Sequence, residues 1–294
     1  MTADPNAEIP LIAGLSSLAD RYDAFFCDVW GVLHNGVQTY EPAVPTLKKL
    51  KALGKTVILL SNSPRMSGNL HSQLQSLGIP RDAYDFAVTS GDATHAVLEE
   101  RRFGQNGYFL GPDRDLPLIE ATSVSYVDPD QADFVLCTGL LNDEVEEPKD
   151  YRAQLTLLAA KGLPFLCANP DIVVERGDRL IYCAGALGAL YEELGGSAHF
   201  FGKPHAPIYE LGVSKLVEHT GKEISKDRIL AIGDGLGTDI RGADAQGIDS
   251  LFITGGIAAT ELGPDADHPD RARIAAACRD AGVSPLAATP RLTW

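Results

Sequence analysis

Two aspartates in this sequence directly follow apolar runs that are typical of buried strands. Asp28 ends the run Phe25-Phe26-Cys27, and Asp234 follows the run 229–233. In open α/β sheets the carboxyl ends of parallel strands form the edge that binds ligands. Two carboxylates in one cleft repel each other, and a hard divalent cation with oxygen ligands removes that repulsion. The pattern predicts a magnesium site, although a single aspartate at a strand end more often caps a turn.

Two further stretches supply groups that suit a phosphate. Ser61 and Asn62 end an apolar run just before a predicted helix, whose unpaired N–H groups favour anions. Lys203 follows a short apolar run, where its ammonium can neutralise a phosphoryl group. Taken singly, helix capping and a surface lysine are the more common interpretations. In chain order, however, the carboxylate, hydroxyl, cation and second carboxylate favour phosphoryl transfer by an aspartate nucleophile with magnesium.

Asp239 lies in the first turn of the helix that is predicted after Asp234. A carboxylate there pairs favourably with the helix dipole. Support of the metal ion or of its waters is an equally good interpretation, and both remain open.

The elements that must position these groups alternate between strands and helices. The predicted strands are 24–28, 56–61, 86–89, 108–110, 134–138, 165–168, 200–201, 229–233 and 250–254. The predicted helices are 45–53, 65–77, 93–102, 151–161, 186–194, 207–219, 238–246 and 271–281. This alternation predicts an α/β fold with parallel sheets and helices on both faces. No long Pro/Ser linker is present, so the pattern alone leaves one domain or two.

Composition and charge restrict the class of partner. The 294 residues are 45% hydrophobic and 22% charged, which is enough for a packed core. The formal net charge of −15 repels nucleic acid and anionic membranes at long range. A small anionic substrate still fits, because a few lysines or a bound cation can reverse the sign inside a cleft.

Targeting and redox signals predict a cytoplasmic protein. No window resembles the roughly 18 apolar residues of a membrane helix, and the first ten residues lack the features of a secretory leader. The five cysteines are scattered without a CxxC pair, so neither a disulfide framework nor a thiolate zinc site is expected.

Five ordered motifs resemble those of the haloacid dehalogenase (HAD) superfamily of phosphohydrolases. They are DVWGVL from Asp28, LLSNS ending at Ser63, ANPD at 168–171, GKP from Gly202 and GDGLGTDI from Gly233. Their order and the ANPD sequence resemble the class IIA branch of NagD-type nucleotide and sugar phosphatases, p-nitrophenyl phosphatases and pyridoxal phosphatases. The similarity spans Asp28 to about Gly256.

The resemblance implies a domain organisation. A Rossmann-like core, here 1–94 with 197–294, would carry an inserted α/β cap at 95–196. Relatives often dimerise through the cap, so a homodimer is one expectation. The partner class that the family implies is a small-molecule phosphate ester.

The resemblance also implies roles for individual residues. Asp28 would be the nucleophile that becomes an aspartyl phosphate, while Ser61, Asn62 and Lys203 would hold the phosphoryl group. Mg²⁺ would be bound by Asp28, Asp234 and the backbone carbonyl of Trp30. Asp239 would not bind the ion directly but would support its ligands or its waters. In the cap, three residues would face the leaving group, namely Asn169, Pro170 and Asp171.

Trp30 is the main departure from the family pattern. Phosphatases of the family usually carry a second Asp at this position, as general acid to the leaving group and then as base to water. Trp has no proton to exchange, and general acid–base catalysis typically contributes about 10²- to 10⁴-fold. The sequence therefore predicts slow turnover or an acid from elsewhere. Trp30 could otherwise pack against an aromatic or ribosyl leaving group, or form a wall of the pocket.

Two residues are candidates for a replacement acid. His34 lies in the flap that follows the nucleophile strand, where Asn35-Gly36 is typical of a tight hairpin. Asp171 of the cap is the other. For His34, an exposed position in the hairpin is the favoured interpretation.

Three functional hypotheses follow. The leading one is a magnesium-dependent phosphomonoesterase with a low rate, or one restricted to leaving groups that need no protonation. The alternative is a binding or regulatory protein that keeps the phosphate and metal sites without turnover. The third is phosphoryl transfer to an acceptor alcohol, and dehalogenation is less favoured because it requires no magnesium ligands.

The Trp30→Asp variant tests the missing acid. We expect hydrolysis of phosphate esters to rise about tenfold or more, since this is a modest part of the general-acid contribution. Steady-state rates of the variant and the wild type provide the measurement. An unchanged rate would exclude the loss of this acid as the limiting factor.

Overall fold

The computed structural model describes residues 9–177 and 179–294. Residues 1–8, on which part of the expectation about a leader rests, lie outside the described residues, as does Asp178. The chain divides into two compact units. The first unit contains the described residues up to Ser61, together with His71–Ala87 and Tyr209–Trp294, and the second contains Asn62–Leu70 and Val88–Ile208.

A six-stranded sheet forms the centre of the first unit. Its strands are β1 (Ala24–Cys27), β2 (Thr56–Ser61), β3 (Phe86–Thr89), β11 (Ile229–Gly233), β12 (Asp249–Ile253) and β13 (Ala287–Thr289). Their order is β13-β12-β11-β1-β2-β3, and the pairs β13-β12, β12-β11, β11-β1 and β1-β2 are parallel.

The two central strands, β1 and β11, are buried along their whole length. Because a strand that is covered on both faces exposes neither face to water, its sequence is apolar throughout, as in Ala-Phe-Phe-Cys and Ile-Leu-Ala-Ile. Cys27 pairs with Ile232, so the residues that follow both strands leave the sheet at the same edge.

Ten α-helices lie within the described residues. They are α1 (Ala43–Ala52), α2 (Ser67–Ser76), α3 (Ser90–Glu99), α4 (Leu116–Glu120), α5 (Arg152–Ala160), α6 (Ala184–Glu193), α7 (Ala206–Thr220), α8 (Arg241–Gln246), α9 (Ala259–Leu262) and α10 (Arg271–Ala281).

The C-terminal segment completes the first unit. Asp270 caps the N-terminus of helix α10, because its carboxylate accepts from the N–H groups of Ala272 and Arg273, and the left-handed Gly282 caps the C-terminus. Ile274 and Cys278 of α10 belong to a buried cluster that includes Phe252 of β12. Strand β13 in turn hydrogen-bonds to the segment around Leu11. This segment, for which the sequence indicates no function, therefore closes one edge of the core.

A five-stranded parallel sheet forms the second unit. Its strands are β4 (Asn106–Leu110), β5 (Ser125–Tyr126), β6 (Phe134–Cys137), β7 (Phe165–Cys167) and β10 (Ala198–Phe200). Their order is β10-β7-β6-β4-β5. Residues of β4, β6 and β7 pack with α5 and α6 in one buried cluster.

An antiparallel hairpin extends from the second unit. It is formed by β8 (Val173–Arg176) and β9 (Arg179–Tyr182). Arg176 pairs with Asp143 at 3.0 Å and with Glu144 at 2.7 Å, and Arg179 pairs with Glu144 at 2.7 Å. These ion pairs join the hairpin to the loop that follows β6.

The predicted α/β fold with parallel sheets is confirmed. Each predicted strand is present with shifts of at most two residues at its ends, and the predicted helix 271–281 coincides with α10. The predicted helix 238–246 instead begins as a π-helical turn, Leu236–Ile240, before α8. The sequence pattern missed β5, β8, β9 and β13, because these strands are too short or too polar to form an apolar run.

None of the helices within residues 9–177 and 179–294 is both long enough and apolar enough to cross a membrane.

Candidate active site

Three carboxylates of the first unit converge at the carboxyl edge of the six-stranded sheet. Asp28 follows β1, Asp234 follows β11, and Asp239 lies on the π-helical turn after β11. One ligand oxygen of each lies within 4.8 Å of the others. All three side chains are buried, with 8%, 5% and 4% of the respective residue surfaces exposed. The sequence pattern thus predicted correctly that Asp28 and Asp234 leave neighbouring strands side by side.

Two glycines make room for the Asp234 carboxylate. A Cβ atom placed on Gly31 or on Gly256 would overlap Asp234 Oδ2. Gly31 also has a φ of +82°, which side-chain-bearing residues rarely adopt. The backbone N–H of Ile257 donates to Asp234 Oδ2 at 2.7 Å. The loops after β1 and β12 therefore fix this carboxylate by close backbone approach.

Asp239 is fixed by the π-helical turn. The N–H of Ile240 donates to Gly235 O at 3.1 Å, which widens the turn by one residue. The N–H of Gly235 donates to Asp239 Oδ2 at 3.0 Å, and a Cβ atom on Gly233 would overlap the Asp239 side chain. Tyr209 donates its hydroxyl to the backbone carbonyl of Asp239 at 3.3 Å. Tyr209 and the glycines around both carboxylates were not singled out from the sequence.

The three carboxylates fit a divalent cation. Three negative charges this close, out of contact with bulk water, repel one another strongly unless a cation or a proton intervenes. All donors are hard oxygens, which is the set that Mg²⁺ and Ca²⁺ prefer over softer metals. The chemistry of the cluster therefore agrees with the magnesium site expected from the sequence.

Trp30 packs against the flap. Its ring centroid lies 5.0 Å from that of His34, with the two planes at 65°. A Cβ atom on Gly36 would overlap the Trp30 indole, and Gly36 has a φ of +85°. The flap is a hairpin in which His34 pairs with Thr39, and the Asn35 side chain accepts from two N–H groups in the turn. The indole therefore packs against the flap that follows β1.

His34 is buried, with 1% of its surface exposed. The expectation of an exposed hairpin position is wrong, because the imidazole packs on Trp30 and its Nδ1 accepts from the N–H of Gly36 at 2.8 Å. Burial lowers the pKa of His34 to about 4. The ring is then neutral at pH 7 with its proton on Nε2, and this geometry favours a structural role in the flap.

Ser61 ends β2, the strand adjacent to β1, and its side chain is buried. Asn62 belongs to the second unit, where its amide joins two loops. Asn62 Oδ1 accepts from the N–H of Lys203 at 2.7 Å, and Nδ2 donates to Lys203 O at 3.0 Å and to Asp171 Oδ1 at 2.8 Å. The amide of Asn62 thus fixes the backbone of Lys203, a contact that sequence reasoning did not anticipate.

The Asn169-Pro170-Asp171 loop packs closely beside Lys203. A Cβ atom on Gly202 would overlap Asn62 Oδ1 and approach Pro170, so this glycine permits the contact. Asn169 Oδ1 accepts from the N–H of Asp171 at 3.1 Å. The structure therefore brings Asn62, Lys203 and the predicted leaving-group loop together within the second unit. The Asp171 carboxylate accepts a hydrogen bond from the Asn62 amide.

Comparison with known proteins identifies the family. Residues 25–124 match the model of the haloacid dehalogenase-like hydrolases, and residues 200–280 match a second HAD-hydrolase-like model. A crystal structure of a hydrolase of the haloacid dehalogenase-like family from Brucella suis is 44% identical. It covers 96% of this chain and 100% of its own, with a TM-score of 0.85. This chain belongs to the haloacid dehalogenase-like hydrolase family.

Curated relatives refine the comparison within the HAD-like family. The 5'-nucleotidase YutF of Bacillus subtilis is 25% identical over 85% of this chain and 94% of its own length. The ribonucleotide monophosphatase NagD of Escherichia coli is 24% identical over 80% of this chain and 88% of its own. The prediction of the HAD superfamily and its NagD-like branch is confirmed.

The Asn62→Ala variant tests the buried amide. We expect the free energy of unfolding to fall by about 2–4 kcal/mol, because the N–H and carbonyl of Lys203 lose buried partners. Chemical denaturation measures this loss. The exposed Asn69→Ala variant, also of the second unit, should stay within about 0.5 kcal/mol of the wild type. Equal stability of the two variants would contradict the importance of the Asn62 contacts.

Proposed function

We propose that this chain is a Mg²⁺-dependent phosphomonoesterase that hydrolyses small phosphate esters through an aspartyl-phosphate intermediate. The observation that carries the proposal is the buried cluster of Asp28, Asp234 and Asp239 at the carboxyl edge of a parallel sheet. Membership of the HAD-like hydrolase family supports it, as do the phosphatase names of the relatives. A sugar phosphate, a nucleotide or a pyridoxal phosphate type of ester suits the branch.

Asp28 is the proposed nucleophile. One of its carboxylate oxygens attacks phosphorus, and the bond from phosphorus to the leaving-group oxygen breaks with both electrons on that oxygen. Water then attacks the phosphorus of the aspartyl phosphate, which releases inorganic phosphate and regenerates the carboxylate. The Ser61 hydroxyl donates to the transferring group, and the Lys203 ammonium offsets its negative charge.

Asp28, Asp234 and the backbone carbonyl of Trp30 are the proposed magnesium ligands, with Asp239 supporting them. When bound, the ion supplies positive charge that offsets the carboxylates and the phosphoryl oxygens. The hydrogen bonds from Ile257 to Asp234 and from Gly235 to Asp239 hold the two carboxylates in place before the ion binds.

Trp30 limits the proposed rate. The indole occupies the position of the usual general acid, and it is held by His34 and Gly36 of the flap. Loss of this acid raises the barrier by about 3–5 kcal/mol for a leaving group that requires protonation. Esters of acidic alcohols or phenols are therefore the favoured substrates, since they depart without a proton.

The insert at 95–196 is the proposed cap. In this cap, the residues that face the leaving group are Asn169, Pro170 and Asp171. The proposed homodimer forms through the same domain. A cytoplasmic location is part of the proposal, because the five buried cysteines form no disulfide among the described residues.

A second candidate function is phosphate-ligand binding without turnover. The observation that favours it is the Trp30 indole in place of a proton donor. The two functions share the metal and phosphate groups and differ only in whether the bond to the leaving group breaks.

Rapid-quench reaction with p-nitrophenyl phosphate separates these functions, because nitrophenolate leaves without an acid. We expect a Mg²⁺-dependent burst of nitrophenol followed by a slow steady state in the wild type. The Asp28→Asn variant should show no burst, since an amide is a poor nucleophile. Chelation of the metal should abolish the burst in the wild type.

The matched control is Asp20→Asn, which removes an exposed carboxylate of the same unit and should retain the burst. A burst that persists in Asp28→Asn would rule out Asp28 as nucleophile. A wild type with neither burst nor turnover, while still binding phosphate, would leave the binding function as the correct one.

A further inference from the structure

The sheet of the second unit is incompletely paired at the edge formed by β5. This strand pairs with only the first two residues of β4, and the N–H of Val127 makes the last bond of the ladder, to Gly107 O at 2.9 Å. Strand β4 continues for three residues beyond Gly107. The connection 127–133, which leads from β5 to β6, contains no helix within the described residues. The edge of β4 beside Phe109 therefore lacks a neighbouring strand on this side.

A pocket of about 500 Å³ lies at this edge, which is within the usual size range of sites for small organic molecules. Its three aromatic side chains are partly exposed. Every lining residue belongs to the second unit, and none belongs to the carboxylate cluster of the first unit. The lining residues are Tyr108, Phe109, Tyr126, Val127, Asp128 and Gln131.

Two glycines of β4 allow the aromatic rings to lie close to the strand. A Cβ atom on Gly107 would lie 3.0 Å from the rings of Tyr126 and Phe134. A Cβ atom on Gly111 would lie 2.9 Å from the Phe109 ring. The rings of Phe109 and Tyr126 meet edge to face, with centroids 6.3 Å apart and planes at 82°. The Tyr126 hydroxyl is out of contact with water, so this residue lines the pocket through its ring.

Asp128 brings a negative charge to the pocket. Its side chain is exposed, and its carboxylate has no hydrogen bond or ion pair within residues 9–177 and 179–294. The other two acids of the same connection are engaged, since Asp130 pairs with Lys161 and Asp133 accepts from two backbone N–H groups near the start of β4. None of the six lining residues is basic. The lining therefore favours a positive charge and opposes an anion such as a phosphate ester.

Aromatic rings beside a carboxylate suit an organic cation. The faces of Tyr and Phe rings attract ammonium groups through the ring quadrupole, and the carboxylate adds a full opposite charge. A bare metal ion fits less well, because Mg²⁺ and Ca²⁺ require about six or more oxygen ligands and the lining offers one carboxylate and one side-chain amide. The apolar surface of the rings instead requires a ligand that also carries carbon groups.

We propose that this pocket binds a small organic cation, an ammonium group carried on an alkyl or an aromatic body. The rings of Phe109 and Tyr126 contact the ligand, and the Asp128 carboxylate offsets its charge. This site goes beyond the proposed function, because its ligand has the opposite charge to a phosphate ester and every residue that holds it lies in the second unit.

NMR titration of the ¹⁵N-labelled full chain, with Mg²⁺ present, tests the proposal. One pair of probes is benzylamine, which is protonated at neutral pH, and benzyl alcohol. The other pair is choline and 3,3-dimethylbutan-1-ol, and in both pairs the members match in size and differ in charge. We expect the cation of at least one pair to bind about fivefold or more tightly than its neutral partner. The largest amide shifts should fall within 106–131.

The Asp128→Asn variant should bring that ratio close to one, while affinity for the neutral partner changes less than about twofold. The matched control is Asp130→Asn, which removes an exposed acid of the same connection from outside the pocket lining and should preserve the ratio. Tyr126→Leu should weaken binding of the cation about threefold or more. Tyr126→Phe should bind it as the wild type does, because the ring is kept and the lost hydroxyl is buried.

Equal affinities within both pairs would overturn the proposal, as would a ratio that Asp128→Asn leaves unchanged or that Asp130→Asn lowers equally. Shifts confined to amides of the first unit would assign the cation to the carboxylate cluster and would overturn it too, and so would the absence of binding by every probe. None of these measurements depends on hydrolysis, so failure of the proposed function would leave their outcome unchanged.

Discussion

The mutual repulsion of three buried carboxylates is the constraint around which the first unit is built. Asp28, Asp234 and Asp239 approach within 4.8 Å because neighbouring parallel strands end at one edge and a widened helical turn adds the third. Folding brings these like charges together, and their repulsion opposes the folded state unless another group compensates for it. Backbone N–H groups donate to two of them, and a cation is the remaining compensation that the donor set suits. The strand order, the widened helical turn and the positions of the glycines together allow the three carboxylates to lie this close.

The positions of the catalytic candidates were predictable because they depend on local pattern. Buried parallel strands are continuous apolar runs, and a polar residue at the end of such a run must lie at the sheet edge. Asp28, Ser61 and Asp234 follow this rule, so the sequence located each of them correctly at a strand end. The order of the motifs indicated the HAD family, and the 44% identity to a relative of known structure establishes that family independently.

Contacts between distant segments were not predictable. Asn62 and Lys203 are 141 residues apart, and no periodicity in the sequence pairs their polar groups. His34 was expected in solvent because Asn-Gly turns are usually exposed, but the bulk of Trp30 four residues earlier covers it. Tertiary packing, not local preference, decided each case.

Trp30 also makes the candidate site visible to spectroscopy. The chain contains two tryptophans, and the other, Trp294, lies far along the chain with its ring over the Lys49 ammonium. Indole emission shifts with the polarity and rigidity of its surroundings, and the Trp30 indole, two residues after Asp28 in the chain, contacts the flap. The residue that departs from the family pattern thus acts as an intrinsic fluorophore at the ligand edge of the sheet. Movements of the flap can be followed in the unlabelled protein.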